Sequence, residues 1–343
     1  VTHDLALVAQ IADAILVLKD GCMVEYGRTE RIITAPQHDY TKALLAAAHV
    51  MPASVQTGRE PDADALISVR GVNAGYGPRQ AVKVLHDIDI DLFPGETLGL
   101  IGESGSGKTT LGRLISGLMA ASSGSVTMQG VPLPSLVADR SKAELRRVQF
   151  VFQQADVALN PRQTIGKILA RPVTFFSGAG RSEARKRAAG LLERVGLPVA
   201  FIDRYPPQLS GGQRQRVNLA RALAADPDVL ICDEVTSALD TVVAQQILDL
   251  LDELQRDLGL SYIFITHDLA TVARICDRVA VMNGGRIVDM GATSEVLSAP
   301  FHPYTELLLR SVPEMRADWL DTAVGERRRL VAALRDRDLA VND

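Results

Sequence analysis

At 343 residues and 47% hydrophobic side chains, the chain can hold one large domain or two ordinary ones, with enough apolar material for a real core. Its net charge of −4 gives no overall electrostatic reason to expect nucleic-acid binding. No apolar run reaches the ~18–20 residues that a membrane-spanning helix needs, and no signal peptide is visible, which reads as a cytoplasmic protein able to dock on a membrane partner.

Residues 1–50 read as a helix-like stretch, two short apolar strands around a turn at Asp20-Gly21, and a helix near Asp39–Ala48. The opening VTHDLALVAQIADAILVLKDG returns from residue 265 as ITHDLATVARICDRVAVMNGG, without a gap and at an offset of 264. His3-Asp4 falls on His267-Asp268, Gly21 on Gly285, Ala35-Pro36 on Ala299-Pro300, and Tyr40-Thr41 on Tyr304-Thr305. Roughly half of residues 1–45 recur identically, so this is an internal repeat. Residues 51–65, MPASVQTGREPDADA, are polar with two prolines and a glycine, and read as a linker.

A full domain follows. LISV at 66–69 predicts a strand, and HDIDIDLF at 86–93 alternates strictly, with Ile88, Ile90 and Leu92 on one face. The other face carries Asp87, Asp89 and Asp91, which read as a solvated strand face. TLGLIG, a helix from Lys108, VLICDE, a helix through Leu248–Leu258, SYIFIT and a helix from Asp268 then alternate. That order predicts an α/β core on a largely parallel sheet. Residues 141–225 are mostly helical, Ser182–Val195 most clearly, and read as a subdomain. The three cysteines, Cys22, Cys232 and Cys276, lack metal-ligand spacing and read as structural, with Cys232 a buried free thiol.

Gly102-Glu-Ser-Gly-Ser-Gly107-Lys108-Thr109 fits the phosphate-binding pattern GxxxxGK[ST] and lies between a predicted strand and a predicted helix. Its glycines let successive amides wrap an anion, and the helix N-terminus adds partial positive charge. Lys108 is placed to reach the β- and γ-phosphates, and the Thr109 hydroxyl to ligate Mg²⁺. DVLICDE at 228–234 is an apolar strand ending in two acids, Asp233 to hold Mg²⁺ through water and Glu234 to polarise the attacking water.

With LSGGQRQRV at 209–217 the sequence resembles the ATP-binding cassette (ABC) ATPases, the nucleotide-binding subunits of ABC transporters, over about residues 66–312. The remaining motifs stand in family order: Tyr76 in NAGYG, Gln153 in VFQQ, Asp240 ending SALD, and His267 in ITHD. The resemblance implies a P-loop NTPase, with a RecA-like core, an antiparallel β subdomain and a helical subdomain at about 141–225. It implies ATP and Mg²⁺ as ligands. ATP would meet Tyr76, which stacks on adenine, and Gly102, Glu103, Ser104, Gly105, Ser106, Gly107, Lys108, Thr109 and Thr110. Glu234, His267 and Gln153 are the implied catalytic residues, and Thr109, Gln153 and Asp233 the Mg²⁺ ligands. Leu209, Ser210, Gly211, Gly212 and Gln213 would hold the γ-phosphate of an ATP on a partner cassette, with Ser210 to Gly212 standing just before a helix that Gln213 opens. Two cassettes therefore pair head to tail. Val235 stands where relatives usually carry proline, and Gln154 where an acid or Asn is common; neither touches the expected chemistry.

The repeated endings, APQHDYTKALL (35–45) and APFHPYTELLL (299–309), together with VALNPRQTIG (157–166), resemble the oligopeptide, dipeptide and nickel importer branch. The resemblance divides the chain into a carboxyl-terminal remnant of a first cassette (1–50), the linker, a complete cassette (66–298), and an importer-type tail with a charged helix (299–343). The remnant is expected to expose apolar surface that upstream sequence covers. The function this implies is an ATPase subunit at the cytoplasmic face of the membrane, energising an importer for peptides or a related small solute. Its partners would be a second cassette (fused upstream or a homodimer mate), two transmembrane permease subunits and, indirectly, an external solute-binding protein, with no nucleic acid. The alternative is a soluble tandem ABC protein of the ribosome-associated or DNA-repair kind, without a membrane partner.

Overall fold

The computed structural model describes residues 2, 5–19, 21–48, 64–77, 80–312, 319 and 325. His3, most of the linker and the charged helix expected near the carboxyl terminus lie outside these residues. The amino-terminal module comprises α1 (Leu5–Ile11), β1 (Ala14–Lys19), β2 (Cys22–Arg28), α2 (Thr29–Thr34) and α3 (Asp39–Ala48). The main body begins with β3 (Ile67–Tyr76), β4 (Val82–Leu92), β5 (Thr97–Ile101), α4 (Lys108–Ile115), β6 (Ser123–Met128) and β7 (Val131–Pro132). Next come α5 (Lys142–Arg147), β8 (Val148–Val151), α6 (Ala155–Ala158), α7 (Ile165–Ser177), α8 (Arg181–Arg194) and α9 (Gly211–Leu223). It closes with β9 (Val229–Asp233), α10 (Thr241–Leu258), β10 (Ser261–Ile265), α11 (Leu269–Ile275), β11 (Arg278–Asn283), β12 (Arg286–Ala292), α12 (Thr293–Val296) and α13 (Pro303–Arg310).

A six-stranded sheet in the order β12-β11-β5-β10-β9-β8 forms the centre, with every pairing parallel except β11 with β12. Its strands are apolar on both faces because both faces are covered. Along β10, Tyr262 and Phe264 enter a core shared with α7 to α11, while Ile263 and Ile265 enter the opposite core with Leu111 of α4. Cys232 on β9 is a fully buried free thiol, and burial pushes its pKa up to about 12, so it packs as a small apolar group. The antiparallel sheet β4-β3-β6-β7 covers the second face, with Ile88, Ile90 and Leu92 buried as the alternation requires. On its outer face Asp91 pairs with Arg70 at 2.7 Å and Asp89 accepts the Gly71 amide.

The mostly helical stretch 141–225 contains a strand. Val148, Phe150 and Val151 are buried, and β8 joins the sheet edge against β9 with Val151 beside Cys232. This strand delivers Gln153 to the carboxyl edge of the sheet.

The repeat is structural as well as sequential. In β1–β2, Ala14 pairs with Arg28 and a bulge falls between Val17 and Leu18; in β11–β12, Arg278 pairs with Ala292 and the bulge falls between Val281 and Met282. Each module ends alike: His38 Nδ1 accepts the Tyr40 amide, and His302 Nδ1 accepts the Tyr304 amide. The difference is cover. Ala280 and Met282 are fully buried against β5, whereas their counterparts Leu16 and Leu18 are half exposed. Ile11 and Met23 are exposed as well, where their counterparts Ile275 and Ile287 are buried and partly buried, so the module carries apolar surface that its copy covers. It rests on the main body through α3 against α10, and Leu5 and Ala6 of α1 border a cleft described below.

Candidate active site

Four parallel strands end on one edge of the central sheet, and each delivers one part of the site. β5 leads into Gly102, β8 into Gln153, β9 into Asp233 and Glu234, and β10 into Thr266 and His267. The carboxyl edge of an open α/β sheet is where such folds bind ligands.

The loop between β5 and α4 is shaped by its glycines. Gly102, Gly105 and Gly107 hold φ values of 144°, 84° and 103°. A β carbon on Gly102 would stand 2.1 Å from the Met282 carbonyl oxygen, and one on Gly107 would stand 2.8 Å from Leu85. No other residue type fits this wrap. Lys108, at the first turn of α4, folds back and donates to the carbonyls of Gly102 and Glu103, each at 2.8 Å, and to Ser106 Oγ at 3.3 Å. Burial lowers its pKa, while Glu234, Asp233 and Glu103 act to raise it. Glu103, Ser104 and Gly105 are exposed at the loop tip, and Ser106 is buried. Tyr76, 43% exposed, places its hydroxyl 3.1 Å from Thr110 Oγ1 in the first turn of α4.

The acids meet the loop directly. Thr109 Oγ1 donates to Asp233 Oδ1 at 2.9 Å. Asp233 is 6% exposed, and burial raises its pKa against the lowering effect of that hydrogen bond. Glu234 adopts φ 47°, an uncommon conformation for a residue with a β carbon, fixed by its amide donating to the Ile265 carbonyl. The turn aims its carboxylate between two partners. Gln153 Nε2 donates to Oε2 at 2.6 Å, and His267 Nδ1 lies 3.1 Å from Oε1. With its proton on Nδ1, His267 donates to that carboxylate oxygen.

The signature segment stands apart from this network. Helix α9 begins at Gly211, two residues earlier than the sequence suggests, because Ser210 and Gln213 form a reciprocal capping box. Gln213 is therefore third in the helix, and the free first-turn amides belong to Gly211 and Gly212 themselves. Ser210 is exposed and Leu209 anchors the segment in the core. Gly212 lies against Val243: a β carbon there would come within 2.4 Å of Val243 Cγ1. Asp240 caps α10 by accepting the Val243 amide at 3.0 Å. Signature and Asp240 thus form one group, joined at Val243, and the loop, Asp233, Glu234, Gln153 and His267 form another.

One residue that sequence reasoning missed joins the two. Asn218, fully buried on α9, donates from Nδ2 to the Phe152 carbonyl at 3.0 Å, next to Gln153. A polar residue on the buried face of an amphipathic helix was the available signal.

The donor set suits Mg²⁺ held jointly with phosphate. Among the described residues no group of three or more His, Cys, Asp or Glu side chains could hold a metal alone. One carboxylate and one hydroxyl, Asp233 and Thr109, face the anion cradle, and Mg²⁺ binds through few protein oxygens plus phosphates and water.

Residues 85–237 match the ABC transporter family, and residues 24–73 and 288–335 each match the carboxyl-terminal region of oligopeptide/dipeptide transporters. The second match falls on both copies of the repeat. Glutathione import ATP-binding protein GsiA of Escherichia coli K12 is 41% identical over 344 residues, covering 91% of this chain, and GsiA of Shigella flexneri matches equally. The chain spans about half the length of these relatives, 55%. Among solved structures, the post-hydrolysis dimer of the cassette MJ0796 bound to ADP and phosphate is 31% identical with TM-score 0.58, covering 66% of this chain and 98% of that one. CbiO1 of Clostridium perfringens, part of the transporter complex cbiONQ, is 30% identical with TM-score 0.60, covering 69% and 92%.

Proposed function

From the premise that this chain belongs to the ABC transporter family of ATPases, we propose that it binds ATP with Mg²⁺ in the loop 102–110 and hydrolyses it to energise an importer for small peptides. The observation that carries this is the convergence of Lys108, Thr109, Asp233, Glu234, Gln153 and His267 at the ends of four parallel strands. Lys108 exchanges two loop carbonyls for phosphate oxygens, a like-for-like trade of acceptors around a buried ammonium. Glu234 accepts the proton of the attacking water, steadied on either side by Gln153 and His267. Thr109 and Asp233 would hold Mg²⁺, which would supply charge neutralisation at the phosphates.

The cassette works as half of a pair. Ser210, Gly211 and Gly212 present a second anion site away from their own loop, which suits the ATP of a facing cassette. That cassette is fused upstream or is a second copy of this chain; in the first case residues 1–50 belong to its carboxyl-terminal end, residues 51–65 link it to the complete cassette of residues 66–298, and residues 299–343 are the equivalent tail. The half-buried strand β1 supports this division, as does the placement of Leu5 and Ala6 beside Ser237, Leu239 and His267.

A groove of about 530 Å³ near Gln153, lined by Leu118, Phe152, Phe175, Phe176 and Arg171, would seat a cytoplasmic helix of one permease subunit. No described helix is long and apolar enough to cross a membrane. A peripheral place on the cytoplasmic face belongs to the same reading as the permease partners. The solute class comes from the GsiA relatives, named for glutathione import. Delivery by an external binding protein belongs to the same reading. Co-purification with integral membrane subunits tests it; recovery with ribosomes and without membrane subunits refutes it.

A further inference from the structure

The phosphate loop opens with one peptide unit, the carbonyl of Gly102 and the N–H of Glu103. Its oxygen accepts from Lys108 Nζ at 2.8 Å, and its N–H donates to the Tyr304 hydroxyl at 3.4 Å. The unit is held from both sides. Gly102 stands at φ 144° with no side chain to restrict the rotation of this plane, so the restraint comes from elsewhere in the fold.

Tyr304 is well built for that task. It is 4% exposed and packs in the core shared by α7 to α11. His302 Nδ1 accepts its amide at 3.2 Å, and the adjacent Thr305, fully buried, donates to Asp289 Oδ2 at 2.6 Å, tying α13 to β12. Burial pushes the phenol pKa up, so the hydroxyl stays neutral. Leu308, one turn on, borders the same cleft as Gly102 and Glu103.

We infer that Tyr304 is a positioning residue for triphosphate binding: its hydroxyl fixes the plane of the Gly102–Glu103 peptide, and with it the Gly102 carbonyl that holds Lys108 until phosphate arrives. This rests on the reading that the loop binds ATP. It also gives the importer-type tail a physical connection to the nucleotide site, since a shift of α13 turns that peptide.

The test is Tyr304→Phe in the full chain, which keeps the buried ring and removes the acceptor. The Kd for Mg-ATP and the KM are expected to rise about two- to tenfold, the range of one neutral hydrogen bond, with kcat at saturation unchanged. A packing role alone would lower kcat and Tm together and leave Kd where it was. Tyr40→Phe, the same change in the other copy of the repeat, should leave Kd unaltered. Amide exchange gives a readout that needs no variant: the Glu103 amide is expected to exchange slowly in the unsubstituted chain. A fast Glu103 amide, or a Kd unmoved by Tyr304→Phe while the unsubstituted chain binds Mg-ATP, overturns this inference alone. Failure of the unsubstituted chain to bind Mg-ATP overturns the functional reading and this inference with it.

Discussion

Replacing Glu234 by Gln separates binding from chemistry. The side chain keeps its length and shape and loses its charge. Its Oε1 still accepts from His267 Nδ1, and its new amide faces Gln153, which needs only to turn its own amide over to accept. Geometry is therefore kept. What disappears is the acceptor for the water proton, and general-base catalysis contributes about 10²- to 10⁴-fold. At 1.36 kcal/mol per tenfold this is about 3–5 kcal/mol of barrier. The neutral variant also repels a triphosphate less, so the Kd for Mg-ATP should stay within about threefold or tighten. Phosphate release under saturating Mg-ATP measures the first quantity and titration with a fluorescent ATP analogue the second. A loss of kcat below about tenfold would mean that Glu234 is not the base. A Kd raised by more than about tenfold would mean that the carboxylate itself holds nucleotide.

Three further outcomes follow from the geometry. Lys108→Ala should weaken Mg-ATP binding by about 10- to 150-fold, the value of a hydrogen bond to a charged group, and an unchanged Kd in an equilibrium titration would remove the loop as the triphosphate site. Ser210→Ala removes the cap of α9 and should cost about 1 kcal/mol in denaturant unfolding while leaving the Kd of an isolated chain alone; a large rise in that Kd would contradict the two-group arrangement. Arg278→Met strips Glu96 of the guanidinium 3.1 Å away and should cost about 3 kcal/mol at pH 8. Burial already raises the Glu96 pKa, and losing Arg278 raises it further. Above that folded-state value the ionised carboxylate destabilises the fold, and below it the folded protein takes up a proton and the penalty shrinks. The cost should therefore fall as pH drops from 8 toward 5, and equal costs at the two pH values would refute the argument.

The central sheet was legible because buried parallel strands are continuous apolar runs: TLGLI, VLICD and SYIFI stand where the sequence places them. The antiparallel face of β4 was legible from its period of two. Strand β8 was hidden because VQFV is only four residues long and follows a short helix with its own capping box at Ser141 and Glu144. The start of α9 was misread because two glycines look like a loop until the Ser210–Gln213 cap is seen to close over them. The loop and the two acids carried their spacing in sequence. The contacts of Tyr304 with Glu103 and of Asn218 with Phe152 span 201 and 66 residues, distances at which no local pattern speaks.

The matching registers of β1–β2 and β11–β12 have a consequence for how the chain reaches this fold. Two hairpins of the same design are competitors for the edge of β5, and during synthesis the wrong one emerges first. A misassembled sheet with β1 beside β5 would seat Ala14 where Arg278 belongs and leave the buried Glu96 without its counter-ion. It would also press Leu16 into the fully buried place of Ala280. Overfilling costs about 1–3 kcal/mol and the orphaned carboxylate about 3 kcal/mol more, which disfavours the swapped state by about a thousandfold or better. An ion pair remote from the chemistry thereby acts as the address label that tells one copy from the other.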